Sequence, residues 1–133
     1  MLQLQPNLEP LPELRLPGAR ARCFTLGQYT VVELHGEIDL YTARDIADAL
    51  DAATGQPAAR VIIDLRPVDF IDCSGLNLLY RAHHRTHSHG GSVRLVSDQP
   101  LIRKLLHLTE LDLLLPLTAT LDDALTASNA GDQ

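Results

Sequence analysis

The sequence predicts an α/β domain in which helices pack on a central, largely parallel β-sheet. Short runs rich in β-branched residues, such as residues 60–65, have the composition of strands covered on both faces. Longer segments between them repeat apolar residues every three or four positions, as amphipathic helices do. The two kinds of segment alternate, which favours parallel strands joined by helical crossovers. The 133 residues are enough for one domain with its own core and too few for two.

The chain divides into an arm, a domain and a tail. Residues 1–21 hold four of the eight prolines and no sustained hydrophobic period, so we expect a flexible or loosely docked proline-rich arm. The domain is predicted over residues 22–128. Residues 129–133 are predicted to be a disordered tail.

The first half of the domain is predicted as strand, helix and strand. Residues 29–40 alternate apolar and polar side chains, which indicates a half-buried strand. A helix is predicted to begin at a capping box formed by Thr42 and Asp45 and to end near Gly55. Residues 60–65 are predicted to be the central strand.

The second half repeats the alternation. After a loop that follows the central strand, a helix is predicted over residues 74–89, with Leu76, Leu79, Tyr80 and His83 on one stripe. A strand over residues 92–97 and a helix that opens near residue 98 follow. Leu113–Leu115 is predicted as a last short strand, and a final helix begins at residues 120–123. A sheet of four to five strands flanked by about four helices is therefore expected.

Composition and charge exclude several classes of protein. Seventeen acidic and eleven basic side chains give a net charge of −6, the wrong sign for neutralising nucleic-acid phosphates. The longest apolar runs are far shorter than the roughly 20 residues of a membrane-spanning helix. The start of the chain lacks a secretion signal, and Cys23 and Cys73 are too few for a disulfide framework. We expect a cytoplasmic protein that binds neither nucleic acid nor membrane.

The least ordinary segment spans residues 64–76. It leaves the buried strand, carries Asp69 and Asp72, and enters a helix at Ser74 followed by Gly75. Ser74 is either a simple N-cap or an exposed hydroxyl where free N–H groups and the helix dipole tolerate a phosphate. In the second hypothesis, Gly75 presents no side chain to a visiting group. These residues alone leave both hypotheses open.

Four separated blocks carry a wider pattern. They are Gly36–Asp39 (GEID), Val61–Leu65 (VIIDL), Val68–Leu76 (VDFIDCSGL) and Leu105–Asp112 (LLHLTELD). In order and spacing these blocks resemble the STAS-domain anti-sigma-factor antagonists of bacteria, and the resemblance covers about residues 23–127. It implies a STAS-like fold with a central mixed sheet.

The resemblance implies a regulatory protein that is not an enzyme and holds no cofactor. Unphosphorylated members bind an anti-sigma factor that is also a serine kinase with a GHKL-type ATP site, which frees the sigma factor for transcription. Phosphorylation of the hydroxyl before the motif's glycine abolishes binding, and a metal-dependent serine phosphatase restores it. By position, Ser74 is the phosphoacceptor, while Asp39, Asp72, Cys73 and Gly75 belong to the partner-binding surface.

Two positions depart from the family pattern. Cys73 stands where a small hydroxyl residue is common, and its thiol is a poorer hydrogen-bond donor. Glu110 stands where many members have glycine. If that position needs a positive φ, a non-glycine residue costs about 1 kcal/mol or more. We therefore expect a remodelled helix end near Glu110.

Two other kinds of function, a binding module without phosphorylation and an enzyme, use different features of the same residues. A scaffold or sensor module would use the same fold to dock a partner without phosphorylation. Catalysis by Cys73 is disfavoured because Asp69 and Asp72 oppose a thiolate and Leu79 stands where a phosphatase loop has arginine. A hydrolase elbow would need glycine in place of Asp72. No glycine-rich loop followed by lysine offers an ATP site.

A histidine cluster, His83, His84, His87 and His89, lies near the end of one predicted helix. His83 and His87 have the spacing of two zinc ligands, but no third ligand is suitably spaced. Imidazoles near the negative end of a helix dipole explain the cluster without a metal. We expect no metal site and a modest pH effect.

Overall fold

Seven strands and five helices lie within residues 21–126, the part of the chain that the computed structural model describes. In chain order they are β1 (Ala21–Leu26), β2 (Tyr29–Leu34), β3 (Gly36–Ile38), α1 (Ala43–Thr54), β4 (Arg60–Asp64), β5 (Val68–Ile71), α2 (Cys73–Ser88), β6 (Ser92–Val96), α3 (Pro100–Leu108), α4 (Leu111–Leu114), β7 (Leu117–Thr118) and α5 (Leu121–Thr126). The α/β class is confirmed. The predicted arm and tail lie outside the described residues, except for Ala21, which begins β1. None of the helices between residues 21 and 126 is long and apolar enough to cross a bilayer.

The main sheet has five strands in the order β1-β2-β4-β6-β7. β1 and β2 form an antiparallel hairpin around Gly27, whose φ is +62°, and the remaining pairs are parallel. β1 was not predicted. It is an edge strand with Arg22, Cys23 and Thr25 exposed, so it lacks the apolar run of a central strand.

The predicted half-buried strand over residues 29–40 is wrong in two respects. The predicted strand is interrupted at His35, and the two parts, β2 and β3, belong to different sheets. Val31 and Val32 are both fully buried, because helices cover both faces of the main sheet at β2. The larger core lies on the face of α1, α2 and α3, and the smaller core lies under α5.

β3 and β5 form a separate two-stranded parallel sheet. Residues 68–71 were predicted as loop, and this prediction is wrong because they form β5. Only Val68 and Ile71 of this strand are buried, so its sequence has no alternating pattern that would have indicated a strand. Ile38 pairs with Ile71 at the end of this small sheet. The pairing determines which residues meet at the candidate site.

An ion pair between the buried Asp64 and the partly exposed Arg66 holds the turn that leads into β5. Asp64, only 1% exposed, accepts hydrogen bonds from Arg66 Nε at 3.0 Å and from Arg66 Nη2 at 2.8 Å. Gln99 Nε2, just before α3, donates to the carbonyl oxygens of Arg66, at 2.9 Å, and of Val68. The turn is thus anchored to both β4 and α3.

Leu113–Leu115 was predicted as a strand, and this prediction is wrong. The segment belongs to α4 and the residue after it, while the last strand is the two-residue β7. Leu111 and Leu115 are buried four positions apart, which is a helical spacing. Glu110 precedes α4 with a φ of +63°, so it adopts the left-handed conformation that glycine takes most easily. The position therefore does need a positive φ, and the remodelled helix end stays a prediction.

Candidate functional site

Two aspartates meet at one end of the small sheet. Asp39 follows β3, Asp72 follows β5, and the Asp72 N–H donates to the Ile38 carbonyl at 3.1 Å. Because the two strands are parallel, both aspartates lie at the same edge of the small sheet, and their backbones are about 5 Å apart. Residues that are far apart in the sequence are thereby brought together.

Asp72 caps helix α2. Its backbone is extended, and its Oδ1 accepts from the N–H of Ser74 at 2.8 Å and from that of Gly75 at 3.3 Å. This is the geometry of an N-cap. The interpretation of Ser74 as an N-cap is therefore wrong, because the longer Asp72 side chain already fills that role and α2 begins at Cys73.

Asp39 forms a matching turn before helix α1. Its Oδ1 accepts from the N–H of Tyr41 at 2.9 Å and from that of Thr42 at 3.1 Å. The predicted capping box is wrong, because the Thr42 hydroxyl makes no cap bond. It instead donates to the Glu37 carbonyl at 3.0 Å and accepts from the Asp39 N–H at 3.0 Å.

Ser74 lies in the first turn of α2 and is partly exposed. Its hydroxyl forms no hydrogen bond with any residue from 21 to 126. The N–H groups of Ser74 and Gly75, expected to be free for a phosphate, are already bonded to Asp72. The expectation of free N–H groups is therefore wrong, and a phosphate on Ser74 would lie beside the Asp72 carboxylate.

Cys73 and Gly75 flank the hydroxyl in different environments. Cys73 is exposed and has a free thiol. Gly75 is buried, and a Cβ at that position would lie 2.5 Å from Ile71 Cγ1 and 2.7 Å from Ile38 Cγ2. The missing side chain of Gly75 therefore lets α2 approach the small sheet, rather than making room for a visiting group.

Sequence reasoning missed three exposed apolar side chains at this end of the fold. Leu40, Tyr41 and Phe70 are 73%, 90% and 49% exposed. Leu40 and Tyr41 follow Asp39 directly, and Phe70 lies two residues before Asp72. Large apolar residues beside acidic ones at the ends of strands were the available signal. We call Asp39, Leu40, Tyr41, Phe70, Asp72 and Ser74 the docking end.

The histidines lie on the exposed side of α2. The His83 and His87 rings stack at 5.6 Å, and the Tyr80 ring meets the His84 ring edge-on at 4.4 Å. Burial, followed by the charges of His84 and His87, lowers the pKa of His83. Among residues 21–126, no cluster of three His, Cys, Asp or Glu side chains is arranged to hold a metal.

The predicted apolar stripe of α2 was partly misplaced. The buried line of the helix runs through Gly75, Leu79, Ala82 and Thr86. Tyr80, which was placed on the inner stripe, is 46% exposed. The periodicity predicted the helix correctly. Which of its sides is buried depends on the close packing of Gly75 against the small sheet.

The mixed sheet, the small sheet and the capped junction together define a particular kind of α/β domain. Residues 24–124 match the model of the STAS domain family, and the chain belongs to that family. The anti-sigma-F factor antagonist RsfB of Mycobacterium tuberculosis is 33% identical over 103 residues, covering 76% of this chain and 82% of that protein.

Solved structures show the same relationship. The crystal structure of an anti-sigma factor antagonist from Mycobacterium paratuberculosis has a TM-score of 0.74 and 34% identity, covering 86% of this chain and 97% of that one. A STAS domain protein from Planctomyces limnophilus has a TM-score of 0.74 and 29% identity, covering 82% and 97% of the two chains.

Proposed function

We propose that this protein is an anti-sigma factor antagonist whose binding is switched at Ser74. Unphosphorylated, it docks on an anti-sigma factor that is also a GHKL-type serine kinase, and phosphorylation releases it, so that sigma-factor-dependent transcription is controlled. The observation that carries the proposal is a partly exposed serine hydroxyl beside exposed apolar side chains at one end of the fold. RsfB is an anti-sigma-F factor antagonist and the Mycobacterium paratuberculosis protein is an anti-sigma factor antagonist, and both support an anti-sigma factor as the partner.

The docking end has the composition of a protein interface. Fully burying one leucine or aromatic side chain contributes about 1.5–3 kcal/mol. Tyrosine is a frequent hot-spot residue because it offers large, rigid contact area. The Asp39 turn fixes the backbone at the exposed residues Leu40 and Tyr41, so little backbone freedom is lost when a partner covers them.

Phosphorylation would oppose that docking. A phosphate on Ser74 adds about 1.5–2 negative charges. Asp72 already occupies the neighbouring N–H groups, and Asp69 and Asp72 are themselves acidic, so the new charge gains little local compensation. An apolar or acidic partner surface would have to bury this charge, which is unfavourable.

The kinase partner supplies the nucleotide. Ser74 Oγ attacks the γ-phosphorus of ATP, the Oγ–P bond forms, the bond to ADP breaks, and the hydroxyl proton passes to a base of the kinase. A serine phosphatase hydrolyses the ester and restores docking. In this proposal the chain is a regulatory substrate that holds no cofactor, acts in the cytoplasm and contacts neither nucleic acid nor membrane.

The first test identifies the residue that the kinase phosphorylates. The protein is incubated with its cognate anti-sigma kinase and ATP, and the modified peptide is mapped by mass spectrometry. We expect phosphate on Ser74, loss of labelling in Ser74→Ala, and normal labelling in Ser88→Ala, a control serine at the opposite end of α2. Phosphate at another residue, or none with a proven partner, would contradict the proposal.

A charge mimic separates the switch from a permanent scaffold. We expect Ser74→Asp to weaken binding to the anti-sigma factor at least about tenfold, equivalent to 1.4 kcal/mol, while Ser74→Ala binds as the native chain does. Binding is measured by titration calorimetry on variants with unchanged unfolding midpoints. Unaltered affinity of Ser74→Asp would instead favour a scaffold or sensor module.

A further inference from the structure

One hydroxyl group ties the exposed turn of the docking end to the small sheet. Thr42 Oγ1 donates to the Glu37 carbonyl at 3.0 Å and accepts from the Asp39 N–H at 3.0 Å. A hydroxyl has one proton to donate and two lone pairs with which to accept, so both contacts are made at once. Leu40 and Tyr41 therefore lie within a short loop that the Thr42 side chain closes.

This hydroxyl does not serve helix α1. Thr42 occupies the N-cap position, yet its side chain makes no hydrogen bond to the first turn of α1. The first N–H of the helix, that of Ala43, donates to the Asp39 carbonyl at 2.9 Å. Removing the hydroxyl therefore leaves the hydrogen bonds of the helix start in place, and its effect falls on the turn before the helix.

The two side chains that hold the turn have different tasks. Asp39 Oδ1 accepts from the N–H groups of Tyr41 and Thr42, at 2.9 and 3.1 Å, so it fixes the shape of the turn from within. Thr42 bonds to Glu37, which belongs to β3, so it fixes the turn relative to the small sheet. The shape of the turn and its orientation are thus set by separate hydrogen bonds.

Orientation matters because the small sheet also carries the rest of the docking end. The Asp72 N–H donates to the Ile38 carbonyl of β3 at 3.1 Å, and Asp72 caps the helix that begins beside Ser74. A turn anchored to β3 therefore has a fixed position relative to Ser74. Leu40 and Tyr41 are largely exposed, so burial in the core contributes little to holding the turn.

We propose that Thr42 is a positioning residue for the partner: its hydroxyl sets the backbone of Leu40 and Tyr41 in the orientation in which the anti-sigma factor binds them beside Ser74. The inference rests on the proposed function and adds to it a residue that acts through its neighbours. When only a fraction of the free molecules has the competent conformation, the apparent affinity falls by that fraction. The loss then appears in the association rate, because the contacts within the complex are unchanged.

Binding kinetics of Thr42→Val test the proposal, since valine keeps the branched shape and lacks the hydroxyl. We expect association with the kinase that phosphorylates Ser74 to slow by about three- to tenfold, with an unchanged dissociation rate and full recovery in Thr42→Ser. In the phosphorylation assay, Thr42→Val should raise KM by the same factor and leave kcat unchanged, because Ser74 and its Asp72 cap are not altered.

Thr120→Val is the matched control. The Thr120 hydroxyl also accepts from a backbone N–H, that of Asp123, and also at 3.0 Å, but it lies before α5, outside the docking end. Because it caps that helix, we expect Thr120→Val to lower the unfolding midpoint and to leave the association rate unchanged. A slower association in Thr42→Val alone is then not a consequence of lost stability.

Amide hydrogen exchange tests the turn without a partner. The Asp39 N–H donates to Thr42 Oγ1, so its exchange should be at least about threefold faster in Thr42→Val and native-like in Thr42→Ser. Equal exchange in the native chain and Thr42→Val, an unchanged association rate, or a loss of affinity due to dissociation alone would overturn the proposal. The proposed function fails differently, since the native chain itself would then not bind the kinase or not be labelled at Ser74.

Discussion

Two strand-to-helix junctions of this protein use the same capping chemistry and display different side chains. Asp39 and Asp72 follow paired strands, and each accepts hydrogen bonds on one carboxylate oxygen from the N–H groups two and three residues later. After Asp39 the chain exposes Leu40 and Tyr41 before its helix starts. After Asp72 the helix starts at once and presents Ser74.

The third residue after each aspartate explains the difference. At the Asp39 junction it is Thr42, which is partly exposed and whose hydroxyl bonds to the Glu37 carbonyl. At the Asp72 junction it is Gly75, which is buried against Ile71 and Ile38. The comparison shows that one local turn can serve either an apolar contact surface or a modifiable hydroxyl, depending on how closely the following helix approaches the sheet.

The largest expected effect comes from adding a methyl group under the Asp72 junction. Gly75→Ala places a Cβ against the side chains of Ile71 and Ile38, so we expect a loss of about 1–3 kcal/mol in the free energy of unfolding. A glycine-to-alanine change in a helix otherwise stabilises it by about 0.5–1 kcal/mol. Urea denaturation measures the change.

Ser74→Ala is the control for that experiment, since it changes the adjacent residue without a clash. Its unfolding free energy should stay within about 0.5 kcal/mol of the native value. If Gly75→Ala were as stable as this control, the close approach of α2 would not be the reason for glycine at this position.

The two aspartates are expected to differ when each is truncated. Asp72→Ala leaves the Ser74 and Gly75 N–H groups without an acceptor and should cost about 1–2 kcal/mol. Asp39→Ala should cost only about 0.5 kcal/mol, because the Thr42 N–H also reaches the Asp39 carbonyl, at 3.2 Å, and Tyr41 is exposed to water.

Asparagine variants test whether an accepting oxygen alone is enough at each junction. Asn keeps an accepting oxygen, so Asp72→Asn and Asp39→Asn should each retain most of the native stability in thermal and urea unfolding. Equal losses in the two alanine variants would show that the duplicated backbone acceptor at the Asp39 junction has no energetic consequence.

Truncation of the exposed side chain at the Asp39 junction should separate binding from folding. Tyr41→Ser should leave the unfolding free energy within about 0.5 kcal/mol of the native value, because Tyr41 is 90% exposed. The same change should weaken anti-sigma factor binding by about 2 kcal/mol if Tyr41 is a hot spot. Leu113→Ser, another exposed residue outside the docking end, is the binding control.

The smallest effect is expected from pH and distinguishes α2 from α1, since α1 contains no histidine. The pKa of His83 lies below its ordinary value of 6.5, so His83 stabilises the fold fully above that pH and loses this contribution as the pH falls through its folded pKa. We expect less than about 0.5 kcal/mol between about pH 7.5 and 5.5.

An NMR titration of the imidazole signals measures the His83 pKa directly. The pH dependence of unfolding should become flatter in His83→Gln. A His83 titration midpoint at or above 6.5 would contradict the expected direction.

Much of the architecture was predictable because its signals are local. The helical period placed α1, α2 and α3, the β-branched run placed β4, and the two glycines after α2 agree with a φ of +78° at Gly90. The resemblance to the family motif predicted Ser74 as the phosphoacceptor. Leu113–Leu115 misled the prediction, since a short apolar run fits a strand and a buried helical turn equally well.

Residue types and their spacing were enough to predict the alternation of strands and helices, to single out Asp39, Asp72 and Ser74, and to mark Glu110 as unusual. These depend on residue type, short-range hydrogen bonding and period. Tertiary structure alone decided the break at His35, the neighbouring ends of β3 and β5, the exposure of Tyr41 and Phe70, and the packing that requires glycine at position 75. The physical reason is that each of them depends on which distant strand becomes a neighbour, and long-range pairing leaves no local pattern in the chain.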